Sequence, residues 1–276
     1  MELVRTAEEM TTWAASRAPR TLGFVPTMGF LHAGHGSLMS LVRPQCDHLV
    51  VSVYVNPLQF GPNEDLARYP RDLEGDAALC RAHGVDVLFA PADLYPDGFS
   101  TSVSVHRLTE RLCGASRPGH FDGVATVCAR LFGVTRCSVA AFGEKDYQQL
   151  AVVQRMVRDL ALPVRIVPGP LVRDGDGVAL SSRNKYLSPA ERGRATSLHR
   201  ALFAMRDAAG DGERRPGVLL ALGRAAIDSD RIDYLELVDA ASLEPLTGPG
   251  GAGARAVVAA YYGATRLLDN VELPWT

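Results

Sequence analysis

Two rhythms of apolar residues share this chain. Up to about residue 171, short and continuously apolar runs alternate with longer stretches in which apolar residues recur every three or four positions. "TLGFV" (21–25), "LVVSVYV" (49–55), "VDVLFA" (85–90), "SVAAF" (138–142) and "VRIV" (164–167) predict strands. Several have no polar face to offer water, so they belong in the interior of a sheet. The spacings Leu73, Ala77, Cys80, then Val124, Val127, Leu131, Val134, then Leu150, Val153, Val157, Leu160 predict the helices between them. Strands and helices in strict turn give an α/β fold with a Rossmann-like parallel sheet.

The rhythm changes after "RDGDG" (173–177), a turn-rich break. Two helical stretches follow, around 195–205 and 219–227, and then strand-like runs at "DYLELV" (233–238), "AVVAAYY" (256–262) and "TRLLD" (265–269), with "TGPGGAGAR" (247–255) as a loop. Helices followed by strands, no longer alternating, predict a smaller α+β C-terminal domain over residues 172–276 behind an N-terminal domain over 1–171.

Four unusual segments each follow a predicted strand: "PTMGFLHAGH" (26–35), "NPLQFG" (56–61), "GEKDYQQ" (143–149) and "LVRDGDGVALSSRN" (171–184). The carboxyl ends of parallel strands are where open α/β sheets bind ligands. In the first segment a helix starting near His35 would aim its positive end at an anion, with His32 and His35 adding donors and Gly29 and Gly34 allowing a nucleotide close to the backbone. For either histidine alone, a turn residue bonded to carbonyls is the alternative. A metal site is a further one, but no third ligand lies nearby in sequence. The pair with its glycines, after a strand, points to phosphate.

Composition narrows the partners. A net charge of −2 over 276 residues argues against a broad nucleic-acid footprint, and of the only two lysines, Lys145 falls inside a segment just named and Lys185 directly follows another. Five cysteines without a C-x-x-C pair read as reduced thiols of a cytoplasmic protein. The acidic start "MELVRTAEEM" and the lack of a long apolar run predict no targeting to a membrane.

H-x-G-H after the first strand resembles the signature of the nucleotidyltransferase superfamily. "VPTMGFLHAGH", "VNPLQFG", "YPRD", "RPGHFDGV", "FGEKDYQQL" and "LSSRNKYL" together resemble the pantoate:beta-alanine ligases, from about Leu22 to "TRLLDN". The resemblance implies ligation of pantoate and beta-alanine through a pantoyl adenylate, with Mg2+ and ATP consumed and AMP and pyrophosphate released, by a cytoplasmic homodimer. It implies an ATP site from Met28, Gly29, Phe30, Leu31, His32, Ala33, Gly34 and His35, with His35 as the proton donor. Gly143, Glu144, Lys145, Asp146, Val172, Leu180, Ser181, Ser182 and Arg183 would complete that site. Gln59 and Gln149 would hold pantoate, Gln59 close to beta-alanine as well.

The residue types suit the chemistry. Charge developing on phosphate needs cationic and N–H or O–H donors, which Lys145, Arg183, Ser181 and Ser182 offer. Taken singly, Lys145 could be solvated beside Glu144 and Asp146, and the serines could cap a turn. A cation held firmly on the reacting carboxylate would blunt it as a nucleophile, whereas a glutamine amide donates to it and still accepts from hydroxyls. Asp65, Asp72 and Asp76 are candidate acids on the metal side, with no choice among them. Two departures from the family pattern stand out, Gly36 in place of a larger apolar residue and Leu180 in place of Met. A transferase acting on a phosphate acceptor would be expected to carry Arg or Lys where Gln59 and Gln149 stand. A worn-out binding protein would not keep every matched position.

Overall fold

A computed structural model describes residues 1–62, 64–248 and 253–275. The chain divides into two compact units, Met1–Glu144 with Gln148–Pro170, and Lys145–Tyr147 with Leu171–Thr276. The three-residue piece Lys145–Tyr147 belongs by its contacts with the later unit, which nothing in the apolar pattern announces.

The first unit runs β1 (Glu2–Val4), α1 (Ala7–Ser16), β2 (Leu22–Thr27), α2 (Ala33–Val42), β3 (His48–Val53), α3 (Leu73–Ala82), β4 (Val87–Phe89), α4 (Cys113–Ser116), α5 (His120–Thr135), β5 (Val139–Gly143), α6 (Tyr147–Asp159) and β6 (Arg165–Gly169). All six strands are parallel, in the order β1-β4-β3-β2-β5-β6. From β4 to β6 this is the doubly wound order, which reverses direction at β2, so the crevice beyond the carboxyl ends of β2 and β5 is the place for a ligand. The five predicted strands are present. The three-residue edge strand β1 was not foreseen, being too short to show alternation.

Apolar runs became strands here because both faces are covered. Val25, Leu49, Val51, Leu88, Val139 and Ala141 pack with Leu38, Met39 and Val42 of α2 and Cys80 of α3. Each fully buried side chain of this size contributes about 1.5–3 kcal/mol. The five cysteines form no disulfide among the described residues, and burial pushes the Cys80, Cys128 and Cys137 thiols up to about 12, which leaves them unreactive.

In the second unit α7 (Pro189–Gly210) and α8 (Pro216–Ala226) precede an antiparallel meander of β7 (Arg231–Asp239), β8 (Ala254–Tyr262) and β9 (Thr265–Leu273). Leu198, Leu202 and Met205 of α7 and Leu219 of α8 pack on Leu235, Val258 and Leu267 of the sheet. Helix α7 starts earlier than its apolar spacing predicts, because Ser188 and Glu191 form a capping box with Pro189 in the first turn. Of the loop 247–255, residues 249–252 lie outside the described residues. Among the described residues no helix is long and apolar enough to cross a membrane.

Candidate active site

The turn after β2 is built from buried anchors. Thr27 donates its hydroxyl proton to the Ser52 carbonyl at 2.6 Å and accepts from Gly29 N–H at 3.1 Å. Gly29 has φ +84°, and a Cβ there would lie 2.8 Å from Val53 Cγ1 and 3.0 Å from Asp76 Oδ2. Its lack of a side chain is therefore already required by the chain's own packing. Phe30 follows, also at positive φ. Asp76 of α3, 2% exposed, holds this strained pair by accepting from Phe30 N–H at 3.0 Å and Leu31 N–H at 2.6 Å. Burial raises its carboxyl above the ordinary 3.8 despite those two N–H bonds.

Asp76 and Asp72 both accept from backbone amides. One clamps a loop, and the other caps α3 by accepting from Gly75 N–H at 3.0 Å. Asp65 precedes a short turn whose Arg68 N–H it receives on its backbone carbonyl. Among the described residues no group of three or more His, Cys, Asp or Glu is placed to hold a metal ion.

Helix α2 begins at Ala33, two residues earlier than expected, because an imidazole does what Ser or Asp usually does at a helix cap. His32 Nδ1 accepts from Gly34 N–H at 3.2 Å, and His35 Nδ1 accepts from His32 N–H at 3.2 Å. The N–H of His35 goes to the His32 carbonyl at 2.8 Å, so first-turn donors expected to face an anion are already engaged. Because Nδ1 of each ring is an acceptor, the proton of each neutral imidazole sits on Nε2, as a donor. The rings lie 4.1 Å apart. Gly36 does not leave the first turn loose, since a Cβ there would lie 2.6 Å from His83 Nε2, and that ring fills the space.

Gln59 sits after β3 in a turn capped by Asn56, both buried. Asn56 Nδ2 donates to Gln59 Oε1 at 3.0 Å, which turns the Gln59 amide nitrogen to Met28 Sδ at 3.2 Å. So the structure brings together Gln59 and Met28, two residues singled out separately. "RPGHFDGV" braces the same turn. Gly123 lets α5 approach so closely that a Cβ would lie 2.3 Å from the Leu58 carbonyl oxygen. His120 Nδ1 donates to the Gln59 carbonyl at 2.8 Å, and Arg117 donates to His120 Nε2 while pairing with Glu64 at 2.6 Å. Burial works against ionisation of Glu64, but the guanidinium prevails and holds its carboxyl below the usual range.

At the end of β5 lie Gly143 and Glu144, and beyond them two glutamines with opposite fates. Gln148 is buried and fully committed, accepting from Cys113 N–H at 2.9 Å and donating to the carbonyls of Leu108 and Arg111. Gln149 is half-buried, and its amide makes no hydrogen bond among the described residues. Asn56, Arg117, His120 and Gln148 were not singled out from sequence, and Asp76 was named only as a candidate acid on the metal side. Only Asn56 carried a local signal, Asn-Pro at a turn start.

The second unit carries the remaining candidates. Val172 and Leu180 face each other across a hairpin, Leu180 N–H donating to the Val172 carbonyl at 3.0 Å. Ser181 caps the turn Ser182–Tyr186 by accepting from Arg183 N–H at 3.3 Å, which is the role its type alone suggests. Lys145, with a side chain 19% exposed and 3.4 Å from Asp146, lines one pocket with Ser181, Ala179 and Asp269. Lys145 and Ser181 are therefore neighbours despite their separation in sequence.

A doubly wound sheet with a donor-bearing turn at its switch point, followed by a helix-and-meander unit that carries a lysine and a serine on one pocket, defines a Rossmann-like α/β protein of the nucleotide-binding kind. The family model of the pantoate-beta-alanine ligases matches residues 2–272, and the chain belongs to that family. It is accordingly a ligase. Pantothenate synthetase 1 of Bradyrhizobium diazoefficiens is 52% identical over 262 residues, covering 94% of this chain and 93% of the relative. The crystal structure of pantothenate synthetase from Thermus thermophilus superposes with a TM-score of 0.94 at 51% identity, covering 99% of this chain and 100% of its own. The pantoate-beta-alanine ligase from Francisella tularensis, complexed with beta-gamma ATP and beta-alanine, matches with a TM-score of 0.82 at 31% identity over 99% of this chain and 97% of its own.

Proposed function

We propose that the chain joins pantoate to beta-alanine in two steps at the expense of ATP. A pantoate carboxylate oxygen attacks the α-phosphorus, the bond to the leaving pyrophosphate breaks, and pantoyl adenylate forms. The amine of beta-alanine then attacks the activated carbonyl, AMP leaves, and pantothenate is released. The family membership supports the overall ligation, and the Francisella relative complexed with beta-gamma ATP and beta-alanine supports ATP as the activating substrate.

The observation that carries this reading is the imidazole pair at the switch point, whose engaged Nδ1 atoms put a proton on each Nε2. Neutral donors held in place before the substrate arrives stabilise charge that develops on phosphate and cost no reorganisation during reaction. His35 supplies a donor to the departing phosphates, with His32 beside it. Lys145 brings the fixed positive charge, and Ser181, Ser182 and Arg183 add further donors. Residues 28–35 with Gly143 and Glu144, and Asp146, Val172 and Leu180 on the other unit, line the nucleotide. Gln149, whose amide makes no hydrogen bond among the described residues, and Gln59, whose amide Asn56 orients toward Met28, hold pantoate. Mg2+ comes with ATP, as an ion that prefers phosphate oxygens and water to a dedicated protein cage. The small unit serves as a lid that keeps water from the adenylate.

Labelled pyrophosphate should exchange into ATP with pantoate present and beta-alanine absent, and Gln149→Ala should abolish that exchange without rescue by beta-alanine. Release of ADP in place of AMP would overturn the reading.

A further inference from the structure

The segment "TRLLDN" belongs to the resemblance but receives no role in the reaction. Its last two residues, Asp269 and Asn270, lie on β9, 4% and 5% exposed. Successive strand residues point to opposite faces. Asp269 stands opposite Val258, on the face that packs against α7 and α8, and Asn270 stands opposite Val257 on the other.

Each reaches a different candidate segment. Asp269 accepts both terminal nitrogens of Arg173, at 2.6 and 2.7 Å, in a fork-to-fork pair. Arg173 also donates to the Gly177 carbonyl at 3.0 Å, and its backbone bridges Ala179, so the pair fixes the hairpin that carries Val172, Leu180 and Ser181. Asn270 donates from Nδ2 to the backbone carbonyl of Lys145 at 3.0 Å. Its Oδ1 accepts from Arg255 at 2.6 Å, which orients the amide. The Arg255 guanidinium lies 3.9 Å from the centre of the Tyr147 ring, and the Tyr147 hydroxyl donates to the Ala240 carbonyl at 2.9 Å. The segment Lys145–Tyr147 is thereby fastened at both ends to the sheet of the second unit.

We propose that Asp269 and Asn270 are a positioning pair for the reaction. Asp269, through Arg173, sets the hairpin, and Asn270, with Arg255 behind it, sets the backbone from which Lys145 extends. One dipeptide on a rigid strand so fixes the spacing of the lysine ammonium and the Ser181 turn, the two neighbours on one pocket. This rests on the reading of Lys145 and Ser181 as nucleotide-site residues. A displacement of a catalytic charge by about 1 Å costs on the order of 10²-fold in rate, so support of this kind carries a measurable effect.

The test is a double-mutant cycle read by pantoate-dependent pyrophosphate exchange. Asn270→Asp keeps the acceptor for Arg255 but sets an oxygen against the Lys145 carbonyl. Alone it should slow exchange about tenfold, with the KM for pantoate changed less than twofold. In a Lys145→Ala background the same substitution should cost less than twofold, because the group it positions is gone. Should Asn270→Asp not fold, Arg255→Met carries the same cycle by removing the group that orients the amide. Losses that multiply in full in the double variant overturn the positioning role. A Lys145→Ala variant as fast as the parent instead overturns the nucleotide-site reading on which it rests.

Discussion

The turn of residues 28–35 and the turn that begins at Ser181 carry donors of similar kind, but they are held by different means. In the first, the Phe30 and Leu31 amides are pinned by Asp76 of another helix, buried in the sheet unit. In the second, closure is mainly local. Asn184 N–H returns to the Ser181 carbonyl at 3.0 Å, Asn184 Nδ2 to the Ala179 carbonyl at 3.0 Å, and Leu187 N–H to the Asn184 carbonyl at 3.2 Å. A long-range anchor fixes geometry in advance and is costly to disturb, whereas a local turn opens and recloses at little expense. On the proposed reading, the first turn offers donors pinned from a distance, and the second offers donors on a locally closed turn whose supporting hairpin is held by Asp269 through Arg173.

If so, the largest effect of a single change belongs to His35. His35→Ala should lower the rate about 10²-fold or more, the scale for one preorganised donor, with the fold retained. His35→Asn sharpens the test. Its Oδ1 can take the place of Nδ1 under His32 N–H and so preserve the cap, while the Nε2 donor is lost. Single-turnover rates should be equally low in both variants, with His35→Asn the more stable to heat. Recovery of rate in His35→Asn would make the residue a cap only.

The difference between the turns also governs what could be read from sequence. The five parallel strands were legible because burial on both faces leaves only apolar residues in a run, and Ser181 was legible as a cap from its type. Asp76 was not, because a carboxylate that bonds to amides 45 and 46 residues away leaves no local pattern, and acidic residues near a phosphate site first suggest a metal. Nor could adjacent Gln148 and Gln149 be told apart, since only the neighbours of each in the fold show which is spent on carbonyls. The start of α2 was misplaced by two residues because histidine is not among the common capping types.

A middle-sized effect should follow from Asp76→Asn, which keeps the shape but sets an amide nitrogen against one of two N–H groups. Leaving a buried donor unsatisfied costs about 1–3 kcal/mol, so denaturant unfolding should shift by that amount. The rate should fall less than in His35→Ala, since the donors are displaced and not removed. The pH dependence has a definite sign. A carboxyl whose folded pKa is raised binds more protons folded than unfolded, so its contribution to stability is complete below about 3.8 and is lost as pH rises through the folded value. The stability difference between the parent and Asp76→Asn should therefore narrow with rising pH over that window. A difference that widens would mean the two N–H bonds outweigh burial.

The smallest expected change in stability lies at Ser181, and it separates structure from chemistry. Loss of a capping side chain to Ala costs about 0.5–2 kcal/mol, whereas replacement by Gly costs only a few tenths, because Gly leaves the amides open to water. For this short turn the Ala value should fall at the lower end. Ser181→Gly should then unfold at nearly the parent's denaturant midpoint and Ser181→Ala slightly below it. Both lose the hydroxyl, so if Ser181 donates to the nucleotide, both should show a raised KM for ATP by a similar factor, with the KM for pantoate unmoved. If the KM for ATP follows stability, rising in Ser181→Ala and not in Ser181→Gly, the hydroxyl serves the turn alone. The proposed donors of the second unit would then be Ser182, Arg183 and Lys145.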